Sequence, residues 1–445
     1  MKLSGIQAVD RVTLKRREYS ESSPAKIRTS ISSILNRHAS LDEGSSELIR
    51  SIFDVLHSNR EIIANAITED TGKGISASRR EIASALEILK DNTEVKPEEL
   101  TYYNKDQDGT SSITFIRGIC LVFPDRWCPV LSLVERLVPA LHTRKLSVVS
   151  PDSRAFTAVK ILLDQVDPLI ASRGGLVVSM FATPTKTMTL LEREGISDVL
   201  FSGSNEDLSR LRHHCNYSSF RAESGEGFSI IVTEDSKLDE CATSISDIFL
   251  DFSRSPFRRP ATVIAETSAE EYLENRLAEE ISKHSAGDPL SDMVSVGVIQ
   301  DPESANKYST LLSSGKNKTH DILHWDGFQE NVFHPALVRE LPGTGRLKGF
   351  NELPLLKIRT MASIQEGFDL VAQSGNLMFA SMWSSDPYLE DLAGHALQVS
   401  CMYFNVAPLA LPNEWKNPIV NENVVQGPRA LIKSMLGQKT LLHGK

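Results

Sequence analysis

Two short-range patterns of apolar and polar positions alternate along this chain. Between residues 119 and 201 four short, largely apolar runs occur: Ile119–Phe123, Leu146–Val149, Leu176–Met180 and Val199–Phe201. The stretches at about 130–142, 153–165, 184–194 and 205–214 carry apolar residues at helical spacing instead. An unbroken apolar run suits a strand covered on both faces, and strands alternating with helices predict a parallel sheet. A second series follows at Ser229–Val232, Thr262–Ala265, Val294–Val298 and Leu377–Met382, with helices at about 268–284 and 363–373. Upstream, the first hundred residues read as a helical layer. Ser23-Pro24 opens a helix whose Ile27, Ile31, Ile34 and Leu35 share one face. Ser58 with Glu61, and Ser78 with Glu81, have the spacing of capping boxes. Residues 1–22 are polar and aperiodic and read as a loosely held arm. The fold class is α/β, with two doubly wound lobes and any ligand expected at the carboxyl ends of the strands.

Composition narrows the classes. The 445 residues are 40% apolar and 24% charged, the balance of a soluble globular protein able to bury a large core. The net charge is -10 and no basic stripe occurs, so no nucleic-acid partner is expected. The five cysteines (Cys120, Cys128, Cys215, Cys241 and Cys401) lack CxxC spacing and fit free thiols in a reducing compartment. The N-terminus has no signal-peptide core, and no apolar run is long enough for a bilayer. A cytoplasmic location with no membrane contact is expected. His213-His214-Cys215 is not expected to bind metal, because adjacent helical residues point apart.

The order of local motifs is more specific. The stretch GICLVFPDRWCPVLSLVERLVPALHTRKLSVVSPDS at 118–153 resembles the aldehyde dehydrogenase superfamily, with its strand, Trp-Asn-Phe-Pro turn, helix and second strand. ISDVLFSGSNEDL at 196–208 is similar to the family's Phe-Thr-Gly-Ser turn, and ESGEGFSIIVTEDSKLDE at 223–240 to its Glu-Leu-Gly-Gly-Lys stretch. ELPLLKIRTMASIQEGFDLVAQSGNLMFASMWSSD at 352–386 resembles later strands and the helix between them. The resemblance implies a Rossmann-like lobe from 1–105 and 119–228, and a catalytic-like lobe over 229–429. It also implies a small β oligomerisation arm from 106–118 and 430–445, within which DGTSSITFIR at 108–117 and KTLLHGK at 439–445 match.

The family reaction uses a cysteine thiolate that attacks an aldehyde, and a nicotinamide that accepts hydride. On the matching positions this chain departs. The loop FSRSPFRRPA at 252–261 puts Pro256 or Phe257 where the cysteine belongs, and no cysteine lies between Cys241 and Cys401. The oxyanion asparagine falls on Trp127. The ribose-binding lysine falls on Ser150, its companion glutamate near Arg154, a phosphate-side glycine on Leu208, and the nicotinamide-ribose glutamate on Phe350. Ser202, Gly203 and Ser204 keep the turn, while Glu206 and Asp207 add charge that would repel pyrophosphate. Glu223 matches the general base. Arg258 and Arg259 suggest an anion pocket, or a salt-bridged loop with Glu223 or Glu226. Cys128 is a weak candidate for a displaced nucleophile.

These departures set the expectations. The chain is expected to hold no cofactor and not to run cysteine and NAD(P)-dependent aldehyde oxidation. It would act instead as a pseudoenzyme, a binding or assembly partner. One alternative is a cofactor-independent enzyme using Glu223, Arg258, Arg259 and Trp127 for acid/base or addition chemistry on a small organic substrate, an anionic one included. A further alternative is an atypical oxidoreductase with NAD or NADP. Trp127, Phe257 and Phe350 are expected to fill the old tunnel if the first reading holds. By analogy with the family, a homodimer or a heteromer with an active relative is expected.

Overall fold

The computed structural model describes residues 45–93, 118–143, 145–172, 196–213, 219–313, 319–329, 332–344, 347–350, 352–374, 378–399 and 401–406. It also describes residues 25, 29 and 187 and the strands 6–10, 15–19, 103–105, 110–115, 177–179, 419–421, 424–426 and 437–442. The helix expected from Ser23-Pro24, most of that at 184–194 and the His214-Cys215 pair lie outside the described residues.

The first lobe is built on five parallel strands: β1 (Ile119–Phe123), β2 (Leu146–Val149), β3 (Val177–Ser179), β4 (Ile196–Gly203) and β5 (Ser219–Ser224). Their order is β3-β2-β1-β4-β5. The chain therefore winds outward from β1 in one direction and then in the other, and the reversal leaves a crevice between the carboxyl ends of β1 and β4. Successive β1 side chains serve opposite faces. Cys120 and Val122 join the cluster under the helices, while Ile119, Leu121 and Phe123 join one with Val199, Phe201 and Leu211. That two-sided burial is why the strand is an unbroken apolar run.

Helices α1 (Ser45–Ser58), α2 (Arg60–Thr71), α3 (Ile75–Asn92), α4 (Pro129–His142) and α5 (Phe156–Ser172) share the first of those clusters. Neither expected capping box forms. Asn59 precedes α2 without a side-chain cap, and α3 begins at Ile75 after Gly74. Glu81 instead reaches across space, where its Oε1 accepts the N–H groups of Val130 and Leu131 at 2.8 and 3.0 Å in the first turn of α4. Helix α6 (Asn205–Arg212) follows β4 and is capped by Ser204, whose Oγ accepts from Asp207 N–H at 3.1 Å.

Three residues after β5 the chain enters the second sheet. It holds β6 (Phe228–Val232), β7 (Pro260–Glu266), β8 (His320–Trp325), β9 (Ala336–Glu340), β10 (Leu355–Met361), β11 (Phe379–Trp383) and β12 (Cys401–Phe404). The order is β8-β9-β10-β7-β6-β11-β12, parallel except for β8 against β9. Helices α7 (Leu238–Phe249), α8 (Glu270–Ser282), α9 (Pro302–Ser313), α10 (Ile364–Ala372) and α11 (Pro387–Ala396) accompany it. The run Val294–Val298 was expected as a strand but makes only isolated bridges at Val296 and Val298. It serves instead to join the lobes. A Cβ on Gly297 would lie 1.9 Å from the Gly72 carbonyl oxygen, and that oxygen accepts Val298 N–H at 2.8 Å.

Two small features complete the fold. Ile6–Asp10 pairs antiparallel with Lys15–Tyr19, so the N-terminal arm holds a hairpin. Its strand KRREY has no apolar face for a periodicity argument to detect. Thr110–Phe115 pairs antiparallel with both Tyr103–Lys105 and Gly437–Leu442, joining the two segments expected to form an arm. Among the described residues no helix is long and apolar enough to cross a membrane.

Candidate active site

A cleft of about 430 Å³, counted to its open mouth, lies at the reversal between β1 and β4. Strand β1 delivers Phe123, Pro124, Asp125 and Arg126 to it, and β4 delivers Phe201, Ser202, Gly203 and Ser204. Gly203 keeps that turn tight, since a Cβ there would lie 2.6 Å from Cζ of Phe201. Ser150, Asp152 and Arg154 enter from the end of β2, and Phe257 and Glu352 from the second lobe. The structure thus gathers Ser150, Ser202, Gly203, Ser204 and Phe257 at one place.

The charges of the cleft are largely arranged in pairs. Arg154 donates to Asp152 through Nε at 2.9 Å and Nη2 at 2.7 Å. Arg126 pairs with Glu352, and its guanidinium lies 5.4 Å from the Trp127 ring centroid. Asp207 lines the cleft and engages Ser204 Oγ at 2.8 Å. Ser150 shares a 2.9 Å hydrogen bond with Thr187.

Several candidates stand elsewhere. Phe350 is buried among Ile299, Tyr308 and Leu353, with Lys307 Nζ 4.4 Å from its ring centroid, and does not line the cleft. Trp127 lines a smaller adjoining hollow with Asp70, Thr71 and Asp301. Of Trp127, Phe257 and Phe350, only Phe257 lines the cleft. Sequence position alone did not reveal that β9, β10 and α9 enclose Phe350.

The loop at 252–259 is a salt-bridged structure rather than an anion pocket. Arg258 donates to Glu223 through Nε at 2.5 Å and to Glu135 through Nη1 and Nη2 at 2.6 and 3.0 Å. Arg136 donates to the same Glu223 at 2.9 Å. Burial would raise the Glu223 carboxyl, but the guanidiniums of Arg258 and Arg136 outweigh it and hold the group below the usual range. As a base Glu223 is thus weakened, and it does not line the cleft. Arg259 stacks over Phe252, 4.3 Å from the ring centroid, and donates to Phe249 O at 3.2 Å. Burial brings its guanidinium down to about 10. Neither Arg258 nor Arg259 lines the cleft.

Cys128 precedes α4 and is 1% exposed. Lys73 Nζ lies 3.9 Å from Sγ, but burial still pushes the thiol well above its ordinary value. Among the described residues no group of three or more metal-ligating side chains occurs. Sequence reading missed Asp125, Arg126, Asp152 and Glu352. Asp125-Arg126 is a charged pair just past a strand end at the sheet reversal, and that position was the available signal. It also missed Glu135-Arg136, a charged pair inside the apolar PVLSLVERLVPALH helix whose 14 residues are all buried.

Comparison with known proteins fits this geometry. The family model described as "Aldehyde dehydrogenase family" matches residues 42–414, so the chain belongs to the aldehyde dehydrogenase family. A lactaldehyde dehydrogenase of Methanococcus maripaludis strain C5 is 22% identical over 330 residues, 70% of this chain and 69% of that protein. The NADP-dependent glyceraldehyde-3-phosphate dehydrogenase of Streptococcus equinus is 19% identical over 374 residues, 81% of this chain and 77% of that protein. A crystal structure of the NADP-dependent glyceraldehyde-3-phosphate dehydrogenase of Bacillus halodurans C-125 complexed with NADP superposes with a TM-score of 0.87 at 18% identity. It is covered to 95%, and covers 98% of this chain. The glyceraldehyde-3-phosphate dehydrogenase of Methanocaldococcus jannaschii complexed with NADP gives 0.86 at 14% identity, covering 98% of each chain.

These findings correct two expectations. The relatives are named as aldehyde dehydrogenases, which points to aldehyde oxidation and overturns both the pseudoenzyme and the cofactor-independent enzyme. The NADP held by matched structures and the NADP-dependent relative overturn the expectation of no cofactor. Changes at family positions were read as loss of the reaction, but a changed residue reports the loss of one contact only.

Proposed function

We propose that this chain is an NAD(P)-linked aldehyde oxidoreductase. The observation that carries the reading is the place of the cleft, at the reversal of the first sheet beyond the carboxyl ends of β1 and β4. Doubly wound sheets take dinucleotides there. The residues present suit such a group. Ser202 is 4% exposed, and its Oγ meets no protein partner. Arg126 and Arg154 line the cleft, each paired with a carboxylate that lines it too, Glu352 and Asp152. When bound, the nicotinamide supplies a hydride acceptor.

The chain's own part is to bind, orient and keep water out. Arg154, past the end of β2, is placed to favour a phosphorylated ribose, so NADP is the preferred form. Phe257 makes an apolar wall. The loop at 252–259 holds no thiol and that of Cys128 is kept protonated, so the aldehyde is taken as its hydrate, which already carries the second oxygen of the acid. We also propose a cytoplasmic homodimer. Four free thiols among the described residues support the location, and Gly437–Leu442, which is an edge strand among the described residues, supports pairing with a second copy.

The test is a thermal shift with NADP and NAD, followed by reduction of the bound form with short hydroxy- and phospho-aldehydes. Ligand at 100 times Kd should add about 2.7 kcal/mol to stability. Arg154→Glu should move the preference from NADP towards NAD, and thiol alkylation should leave turnover intact. No shift with either dinucleotide would end the proposal.

A further inference from the structure

The two walls of the cleft are tied together by an ion pair. The second lobe contributes Phe257 and Glu352 to the lining, and every other lining residue belongs to the first lobe. Glu352 accepts from Arg126, so a carboxylate just ahead of β10 is bound to the turn that follows β1. The chain around Glu352 is fastened within the second lobe. Lys357 Nζ donates to Leu347 O at 2.8 Å, Lys307 Nζ donates to Gly349 O at 2.9 Å, and Leu353 is buried. Glu352 therefore moves with the second lobe and Arg126 with the first, and their pair is a strap across the cleft.

Strength decides which contact between the lobes gives way. Away from the cleft they are joined by Arg258 with Glu135 and Glu223, and by the Gly72 carbonyl with Val298 N–H. The two carboxylates of that network have side chains 2% exposed, and breaking a buried ion network is costly. Arg126 and Glu352 have side chains 20% exposed, so water can replace either partner and salt can screen them. The strap is the contact that opens first, with the buried network as the hinge. Arg126 also lines the neighbouring hollow with Trp127, so one side chain belongs to the walls of both spaces.

We propose that the Arg126–Glu352 pair is an autoinhibitory latch, closed in the free protein and parted when a ligand enters the cleft. Parting it takes up some of the binding energy, so the apparent affinity is lowered by the fraction of molecules that are unlatched. The role in ligand entry rests on the dinucleotide reading of the cleft, whereas the strap between the lobes does not.

The test follows NADP binding to the full chain by stopped-flow fluorescence and compares it with Glu352→Gln, which keeps the side-chain size and removes the charge. The variant should bind NADP about five-fold more tightly, through faster association, as expected for the loss of one partly exposed ion pair. Raising the salt from about 0.1 M to about 1 M should narrow the difference between the two proteins. Amide hydrogen exchange without ligand reads the latch independently. The Leu353 N–H, which donates to Phe350 O at 3.0 Å, should exchange faster in the variant. Where NADP binds, equal or weaker affinity in Glu352→Gln would overturn the latch, because the pair would then oppose no entry or would belong to the bound state. A difference that salt leaves untouched, or unchanged exchange at Leu353, would overturn it too. If neither protein binds NADP while exchange at Leu353 rises, the dinucleotide reading fails and the latch stands.

Discussion

Arg258 holds two carboxylates at once, and that arrangement determines what its loss does. Glu135 and Glu223 have side chains 2% exposed, and Arg258 is 10% exposed. Removing Arg258 leaves the two buried carboxylates sharing the single charge of Arg136, and breaking a buried ion network costs about 3–5 kcal/mol. Arg258→Met should therefore lower the urea-unfolding free energy by that amount, and Glu223→Gln in the same chain should recover part of it. Because the folded Glu223 carboxyl is held low, its stabilising contribution is present above the ordinary value of 4.5 and fades as pH falls through the lower folded value. His142 behaves differently. Burial lowers it from 6.5 to about 4, so the unfolded chain takes up its proton first as pH falls. Stability should decline between those values by about 3 kcal/mol, and His142→Leu should flatten that part of a pH–stability curve.

Among the elements, α4 shows what a local reading of the chain can and cannot detect. Its apolar periodicity and first-turn proline predicted the helix to within a residue, and the start at Pro129 agrees. The group that satisfies its first N–H donors is Glu81, about fifty positions upstream, and capping-box spacing assigned that glutamate to its own helix. Lys73 donates to Glu81 and, at 2.8 Å, to Trp127 O, so a single buried carboxylate fixes both the helix start and the turn leading into it. Glu81→Ala should cost about 3–5 kcal/mol by leaving Lys73 unpaired. Ser204→Ala, a conventional cap on α6, should cost about 1 kcal/mol in the same unfolding assay. Strands β1, β2 and β4 were legible because burial on both faces demands largely apolar runs. Val294–Val298, with valines at alternate positions, forms no sheet strand, because backbone contact at Gly72 takes the place of a strand partner. The edge strand β8 has exposed Asp321 and Ile322 and offered no run to read.

For the whole molecule, the order of motifs carried the family and the two-lobe plan, while no single motif would have done so. The position of the cleft also followed, since it depends on strand order. Its electrostatics did not, because Arg126–Glu352 and Arg258–Glu135 join residues that only the folded lobes bring together. The arm sheet of Thr110–Phe115 and Gly437–Leu442 leads to a test of assembly. Light scattering on the eluted protein should give twice the chain mass, and Leu441→Pro in the edge strand should return it to one. A single-chain mass for the unaltered protein would remove the proposed dimer.

The clasp between Gly72 and Gly297 has a consequence for how the molecule could be divided. Met293, just before it, is 83% exposed, in a loop open to proteases. A cut there separates β6 and β7 from β10 and β11, yet these four are neighbours in the sheet order β10-β7-β6-β11. The halves would remain interleaved through strand pairing on both sides of the break, with Val298 still bound to Gly72. Two separately translated pieces ending and starting at Met293 should thus reassemble, so a gene split at this point would still encode one protein.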